Sequence, residues 1–219
     1  MIVSRPSPGT HGLDDSDHAI ARASCSLAEN RNEYSRPPMA EIIESLADRC
    51  RGIEALVLDV DGVLTDGRII YGDRDELKFF HVRDGSGLWA WKRAGKEAVI
   101  LSGRSSQAVV RRAQEIGVTR VLQGIADKTS AYEQLLGQVG WHPEQVACIA
   151  DDFPDLGLLR RCRLAVAVAD ACFEVRSAAH YVTKTPGGRG AVREAIEMIL
   201  RCQDRWREIV EARLLPARK

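Results

Sequence analysis

No stretch of this chain approaches the roughly 18 consecutive apolar residues of a membrane helix, and its N-terminus carries no secretory apolar segment. Charge of one sign is also missing. Lys plus Arg and Asp plus Glu are 31 each, which points away from a nucleic-acid surface or an acidic tail. Aromatic residues are 5% of the chain, too few for a platform on which bases stack. No Cys-x-x-Cys pair occurs. Cys25, Cys50, Cys148, Cys162, Cys172 and Cys202 are scattered, and Cys148 falls inside the apolar run Val-Ala-Cys-Ile-Ala. They read as small buried hydrophobes in a reducing compartment, the cytoplasm, and not as disulfides or zinc ligands.

What is present begins late. Residues 1–38 are rich in Ser, Pro, Arg, Asp and Asn, with only a weak helical window over 19–29, and are expected to be disordered or loosely attached. At Met39 the character changes. Ile42, Ile43, Leu46, Ala47 and Cys50 mark one helix face, and strand 55–58 follows. From there strands (98–101, 120–122, 146–150, 164–168, 181–182) alternate with helices (87–94, 107–116, 128–139, 154–161, 173–178). Ser105 is expected to cap the second of these helices. A long amphipathic helix starts near Ala191 with Val192, Ile196, Ile199 and Leu200 facing inward. The fold class is α/β: a Rossmann-like parallel sheet with helices on both faces. We expect a domain over 39–201 and a C-terminal helical tail over 202–219. One segment breaks the alternation. Residues 68–71 and 76–82 read as a β-hairpin around Gly72-Asp73-Arg74-Asp75, too apolar to stand alone in water.

The chemistry concentrates at strand ends. The run Ala-Leu-Val-Leu ends in Asp59-Val60-Asp61-Gly62, and residues two apart share a side of an extended chain. Two carboxylates therefore emerge together, at the sheet edge where α/β proteins bind ligands. Alone they could be an acidic turn. Three further ends add Ser102-Gly103-Arg104, Asp127-Lys128, and Asp151-Asp152 with Asp155 on the same edge. Singly, Ser102 would be a helix cap and Lys128 a solvated charge. Jointly they leave carboxylates crowded with no relief except a cation.

The pattern Asp59-Val-Asp-Gly-Val-Leu-Thr-Asp-Gly67, Val82-Arg-Asp-Gly85, Ser102-Gly-Arg104, Gln123-Gly124, Asp127-Lys128, Ala165–Ala171 and Gly187-Gly-Arg-Gly-Ala-Val-Arg-Glu194 resembles the haloacid dehalogenase superfamily. More narrowly, residues 55–199 resemble the 3-deoxy-D-manno-octulosonate 8-phosphate phosphatases and their capless sugar-acid relatives. One departure is Ala150, where that family usually has Gly before the Asp pair.

The resemblance implies a Mg²⁺-dependent phosphomonoesterase, and the residue types suit it. Asp59 is the expected nucleophile toward phosphorus, and Asp61 the general acid and then base. Asp59, the Asp61 carbonyl and Asp151 are the expected metal ligands, with Asp152 as a second candidate and Asp155 bracing the loop. Ser102 and the Gly103 N–H form a phosphate seat before a helix, and Lys128 neutralises charge. The resemblance further places Arg104, Arg112, Thr65, Arg83 and Gly85 on the substrate side. The expected ligand is a phosphorylated sugar acid; no nucleic acid or membrane is expected. Rival readings are a phosphatase for a nine-carbon sugar-acid phosphate, a non-catalytic oligomerisation module, and a phospho-receiver domain. The hairpin and the missing cap point to a homotetramer, as in the family.

Overall fold

The computed structural model describes residues 46–73 and 75–214. The expectations for residues 1–38, the window 19–29, Ile42, Ile43 and Cys25 lie outside the described residues. Helical residues 46–51 (α1) lead into β1 (Ala55–Leu58), every residue of which is buried. The chain then forms β2 (Ile70–Tyr71), β3 (Glu76–Leu77), α2 (Val82–Arg93), β4 (Glu97–Leu101), α3 (Gln107–Ile116), β5 (Arg120–Leu122) and α4 (Lys128–Val139). It continues through β6 (Val146–Ala150), the short α5 (Leu156–Leu159), β7 (Leu164–Ala167), α6 (Phe173–Ala178), β8 (Tyr181–Val182), α7 (Ala191–Cys202) and α8 (Trp206–Leu214).

Six strands pair in parallel in the order β5-β4-β1-β6-β7-β8, while β2 and β3 form a separate antiparallel pair. The chain steps outward from β1 through β4 and β5 on one side and through β6, β7 and β8 on the other. The reversal of direction therefore falls at β1, the kind of crevice in which such sheets hold ligands. Leu58 is in register with Ile100 on β4 and Ile149 on β6. One residue on, Asp59 is level with Leu101 and Ala150. The next positions along the three chains include Ser102 and Asp151. The core is what the apolar runs require: β1, β6 and β7 are buried throughout, and Val192, Ile196, Ile199 and Leu200 of α7 are fully buried against it.

Several boundaries differ from expectation for identifiable reasons. The second hairpin strand was expected to run to Val82, with a helix only from residue 87. Instead α2 starts at Val82, with His81 Nδ1 accepting the Arg83 N–H at 3.3 Å. Gly85 and Gly87 argue against a helix by propensity. Here they are contact points: a Cβ at Gly87 would stand 3.0 Å from the Arg193 Cα of α7. The cap of α3 is Ser106, not Ser105, its hydroxyl accepting the Ala108 N–H. The expected helix over 154–161 opens as a 3₁₀ turn at Phe153–Asp155 before the brief α5. The last helix breaks at Gln203, whose Nε2 donates to the Cys50 and Ile53 carbonyls at 2.6 and 2.9 Å. Beyond it α8 returns to the body, with Trp206 and Ile209 buried.

Candidate active site

Asp59 ends β1, with its own N–H held by the Ile149 carbonyl at 3.2 Å. The chain then winds into a tight turn in which the N–H groups of Val63, Leu64 and Thr65 all point to the Val60 carbonyl. Thr65, expected at the substrate, is 2% exposed. Its hydroxyl donates to Val60 O and accepts from Gly67 N–H, so it stabilises the turn. Gly62 has φ +90°, and a Cβ there would stand 1.9 Å from Asp151 Oδ2. Only glycine lets the turn close onto that carboxylate.

Lys128, the first residue of α4, is buried and bridges two anions, 2.9 Å from Asp59 Oδ1 and 2.8 Å from Asp155 Oδ1. Burial alone would lower its pKa. The charges of Asp59 and Asp155 outweigh that and raise it. Asp59, Asp151 and Asp155 each offer an oxygen within 4.8 Å of the others. Their carboxyls titrate high: Asp151 is pushed up to about 7 and Asp155 to about 6, in both cases first by burial and next by the charge of Asp59. Burial also raises Asp59, against the pull of Lys128. Asp151 Oδ1 and Asp155 Oδ2 are buried without a hydrogen-bond partner. Oxygen donors, net negative charge and orphaned lone pairs together fit a hard divalent cation.

Of the two candidates, Asp151 is inside this cluster and Asp152 is not. Asp152 is exposed, and its Oδ1 accepts the N–H of Phe153 at 2.9 Å, opening the 3₁₀ turn that carries Asp155 inward. Ser102 is buried, and its Oγ accepts the Arg104 N–H at 3.3 Å; Gly103 beside it is exposed.

Two residues of the site escaped the sequence reading. Lys78, just past β3, is ion-paired with Asp61 and lies 3.2 Å from Glu76, while Arg104 closes the chain by pairing with Glu76. The Lys78 side chain is 2% exposed. The signal was available in Glu76-Leu77-Lys78-Phe79, whose alternation puts the two charges on one side of the strand and leaves Leu77 and Phe79 exposed.

The remaining substrate candidates lie elsewhere. Arg112 pairs with Glu115 at 3.1 Å, stacks over Phe80, and crowds Gly85, where a Cβ would be 2.5 Å from Arg112 Nη2. Gly85 and Arg112 line a cavity of ≈ 510 Å³ with Trp89 and Trp206, and none of Asp59, Asp61 or Asp151 lines it. Arg83 is exposed beside Arg189 in a second groove along α7.

A family profile described as haloacid dehalogenase-like hydrolase matches residues 118–196. The 3-deoxy-D-manno-octulosonate 8-phosphate phosphatase of Yersinia pestis is 42% identical over 165 residues, 75% of this chain and 88% of that one. Its crystal structure superimposes with a TM-score of 0.73, covering 75% and 89% of the two chains at 42% identity. The Moraxella catarrhalis phosphatase of the same name, solved in complex with magnesium ion, phosphate ion and a KDO molecule, gives a TM-score of 0.74 at 38% identity, covering 80% and 98%.

Proposed function

Because this chain belongs to the 3-deoxy-D-manno-octulosonate 8-phosphate phosphatase family of haloacid dehalogenase-like hydrolases, we propose that it hydrolyses the phosphomonoester of a sugar acid, 3-deoxy-D-manno-octulosonate 8-phosphate, with Mg²⁺ as cofactor. The observation that carries this reading is the cluster Asp59, Asp151 and Asp155 around Lys128, with two buried carboxylate oxygens unpartnered. Asp59 and Asp151 side chains and the Asp61 carbonyl would hold the ion, and Asp155 would orient Lys128. When bound, the ion offsets the repulsion between the phosphate and the carboxylates.

The chain's own groups do the rest. An Asp59 oxygen attacks phosphorus, forming an aspartyl-phosphate as the ester P–O bond breaks. Asp61 gives its proton to the departing sugar oxygen. A water then attacks phosphorus and yields its proton to Asp61, which regenerates Asp59 and releases inorganic phosphate. Ser102 and the Gly103 N–H face the phosphate, and Lys128 stabilises charge on Asp59 and the transferring group. Arg104, carried near Asp61 by Glu76 and Lys78, suits the sugar carboxylate. The protein acts as a homotetramer, a reading supported by the exposed Tyr71, Leu77 and Phe79 of the hairpin. Its place is the reducing cytoplasm, in keeping with the free thiols of Cys50, Cys148, Cys162, Cys172 and Cys202.

Phosphate release from a panel of sugar phosphates, with and without chelator, tests the reading. The eight-carbon acid phosphate is expected to give the highest kcat/KM. A nine-carbon sugar-acid phosphate taking that rank would reassign the substrate. Asp59→Asn is expected to abolish turnover with the fold intact, and normal activity in that variant would refute the mechanism.

A further inference from the structure

Helix α7 begins without a cap of its own. Gly190, at its boundary, has φ +112° and no side chain, so the first-turn N–H groups need acceptors from elsewhere. Asp84, in the first turn of α2 and 2% exposed, provides one. Its Oδ1 accepts the Arg193 N–H at 2.8 Å, while its Oδ2 is buried without a hydrogen-bond partner. A negative charge at this end of a helix is favoured by the helix dipole as well. The cap is thus supplied by another helix, 109 residues earlier in the chain.

Just before the capped turn, Gly187 and Gly188 form a strap. The Gly187 N–H donates to Asp170 Oδ1 and the Gly188 N–H to the Val63 carbonyl, both at 2.9 Å. A Cβ at Gly187 would stand 1.6 Å from the Gly62 carbonyl oxygen, and one at Gly188 would stand 2.3 Å from the Thr65 carbonyl carbon. The strap therefore rests directly on the turn that follows Asp61. Gly62 meets the strap through its carbonyl and Asp151 through its Cα. One continuous stack runs from Asp84 through the first turn of α7, the strap and Gly62 to Asp151.

We propose that Asp84 is a positioning residue for the phosphatase reaction: by capping α7 from α2 it fixes the strap against the Gly62–Thr65 turn, and so sets the spacing of Asp61 and Asp59 to Asp151. The proposal rests on the phosphatase reading above. It assigns Asp84 no contact with substrate or metal; Asp84 is not one of the clustered carboxylates.

The test compares wild type, Asp84→Ala, Asp84→Asn and Gly188→Ala by steady-state kinetics, by calorimetric Mg²⁺ titration, and by thermal unfolding. Asp84→Ala is expected to lower kcat by ~10- to 100-fold, the scale of a small misplacement at a reacting centre, with KM little changed. Mg²⁺ affinity is expected to fall by about tenfold, as for lost outer support of a metal site. Asp84→Asn, which keeps an acceptor of the kind helix caps use, is expected to recover most of both losses. Gly188→Ala, whose Cβ would push the strap off the Thr65 carbonyl, is expected to show the same pair of losses. A purely architectural Asp84 would lower the unfolding temperature and leave kcat and Mg²⁺ affinity unchanged in folded protein. That result in Asp84→Ala overturns the proposal. If Asp84→Ala fails to fold, the same result in Gly188→Ala overturns it. Wild-type protein that releases phosphate from no ester would defeat the phosphatase reading, and the Mg²⁺ titrations would still decide the role of Asp84.

Discussion

At the residue scale, the carboxylates Asp151 and Asp155 tie stability to pH with a definite sign. Their pKa values stand at about 7 and about 6 in the folded chain, against an ordinary value of 3.8. A folded state that holds its protons more tightly than the unfolded chain is favoured while both are protonated. That contribution is complete below about pH 4 and is lost as pH rises through about 6 and 7. Chelator-treated protein is therefore expected to unfold at progressively lower temperature between pH 5 and pH 8. Saturating Mg²⁺ is expected to flatten the trend, because a cation that binds the ionised form replaces the protons. Scanning calorimetry across that window checks it, and a metal-free unfolding temperature that rises with pH would contradict it. Asp59, Asp61 and Asp151 were legible because a strand end with period-two spacing fixes where such side chains emerge. The choice between Asp151 and Asp152 was not. It depends on the 3₁₀ turn through Pro154, which leaves Asp152 outside as a cap while Asp155, three residues on, is carried inward to Lys128.

At the scale of elements, the parallel sheet could be read directly, since β1, β6 and β7 are continuous apolar runs and nothing but a two-sided interior accommodates them. The segment over 76–82 could not. Leu77, Phe79 and Val82 suggest a strand continuing through Val82, yet the helix already begins at Val82, because Asp84 and Gly87 find their partners on α7, over a hundred residues away. Local pattern carries no information about such a contact. The resulting hairpin is two residues long on each side, with Tyr71 82% and Phe79 64% exposed. A pair of strands this short has little stability of its own. Replacing Ile70 and Phe79 together by Asp is accordingly expected to shift sedimentation from tetramer to smaller species and to reduce activity, because Glu76 and Lys78 lie in and just after β3, beside the substituted positions. Wild-type protein that sediments as a monomer while fully active on a sugar phosphate would show that the hairpin needs no partner.

For the molecule as a whole, the composition change at Met39 marks where the folded unit is expected to begin. A chain beginning at Met39 is expected to keep the full kcat/KM and unfolding temperature. Loss of either would show that residues 1–38 contribute to the folded enzyme. The far end, expected as a tail, is partly interior: Trp206 is buried, with the Arg193 guanidinium 4.6 Å from its ring centre. That placement followed from a break at Gln203, not from any weakening of the helical pattern.

The central position of β1 has a consequence for how Asp59 and Asp61 are held. Asp59 directly continues a strand paired on both sides and buried along its length, and its amide is still bound to Ile149. Backbone of that kind opens only when the domain itself opens. Asp61, two positions later, has left the sheet and is tied instead to Lys78 on a short exposed arm. In the proposed reaction Asp59 returns to one place after each turnover, whereas the Asp61 carboxyl serves first a departing sugar and then an arriving water. The end of this four-residue strand thus divides the site between a side chain whose backbone the sheet holds and one that is held by Lys78, with the boundary between them falling at Val60.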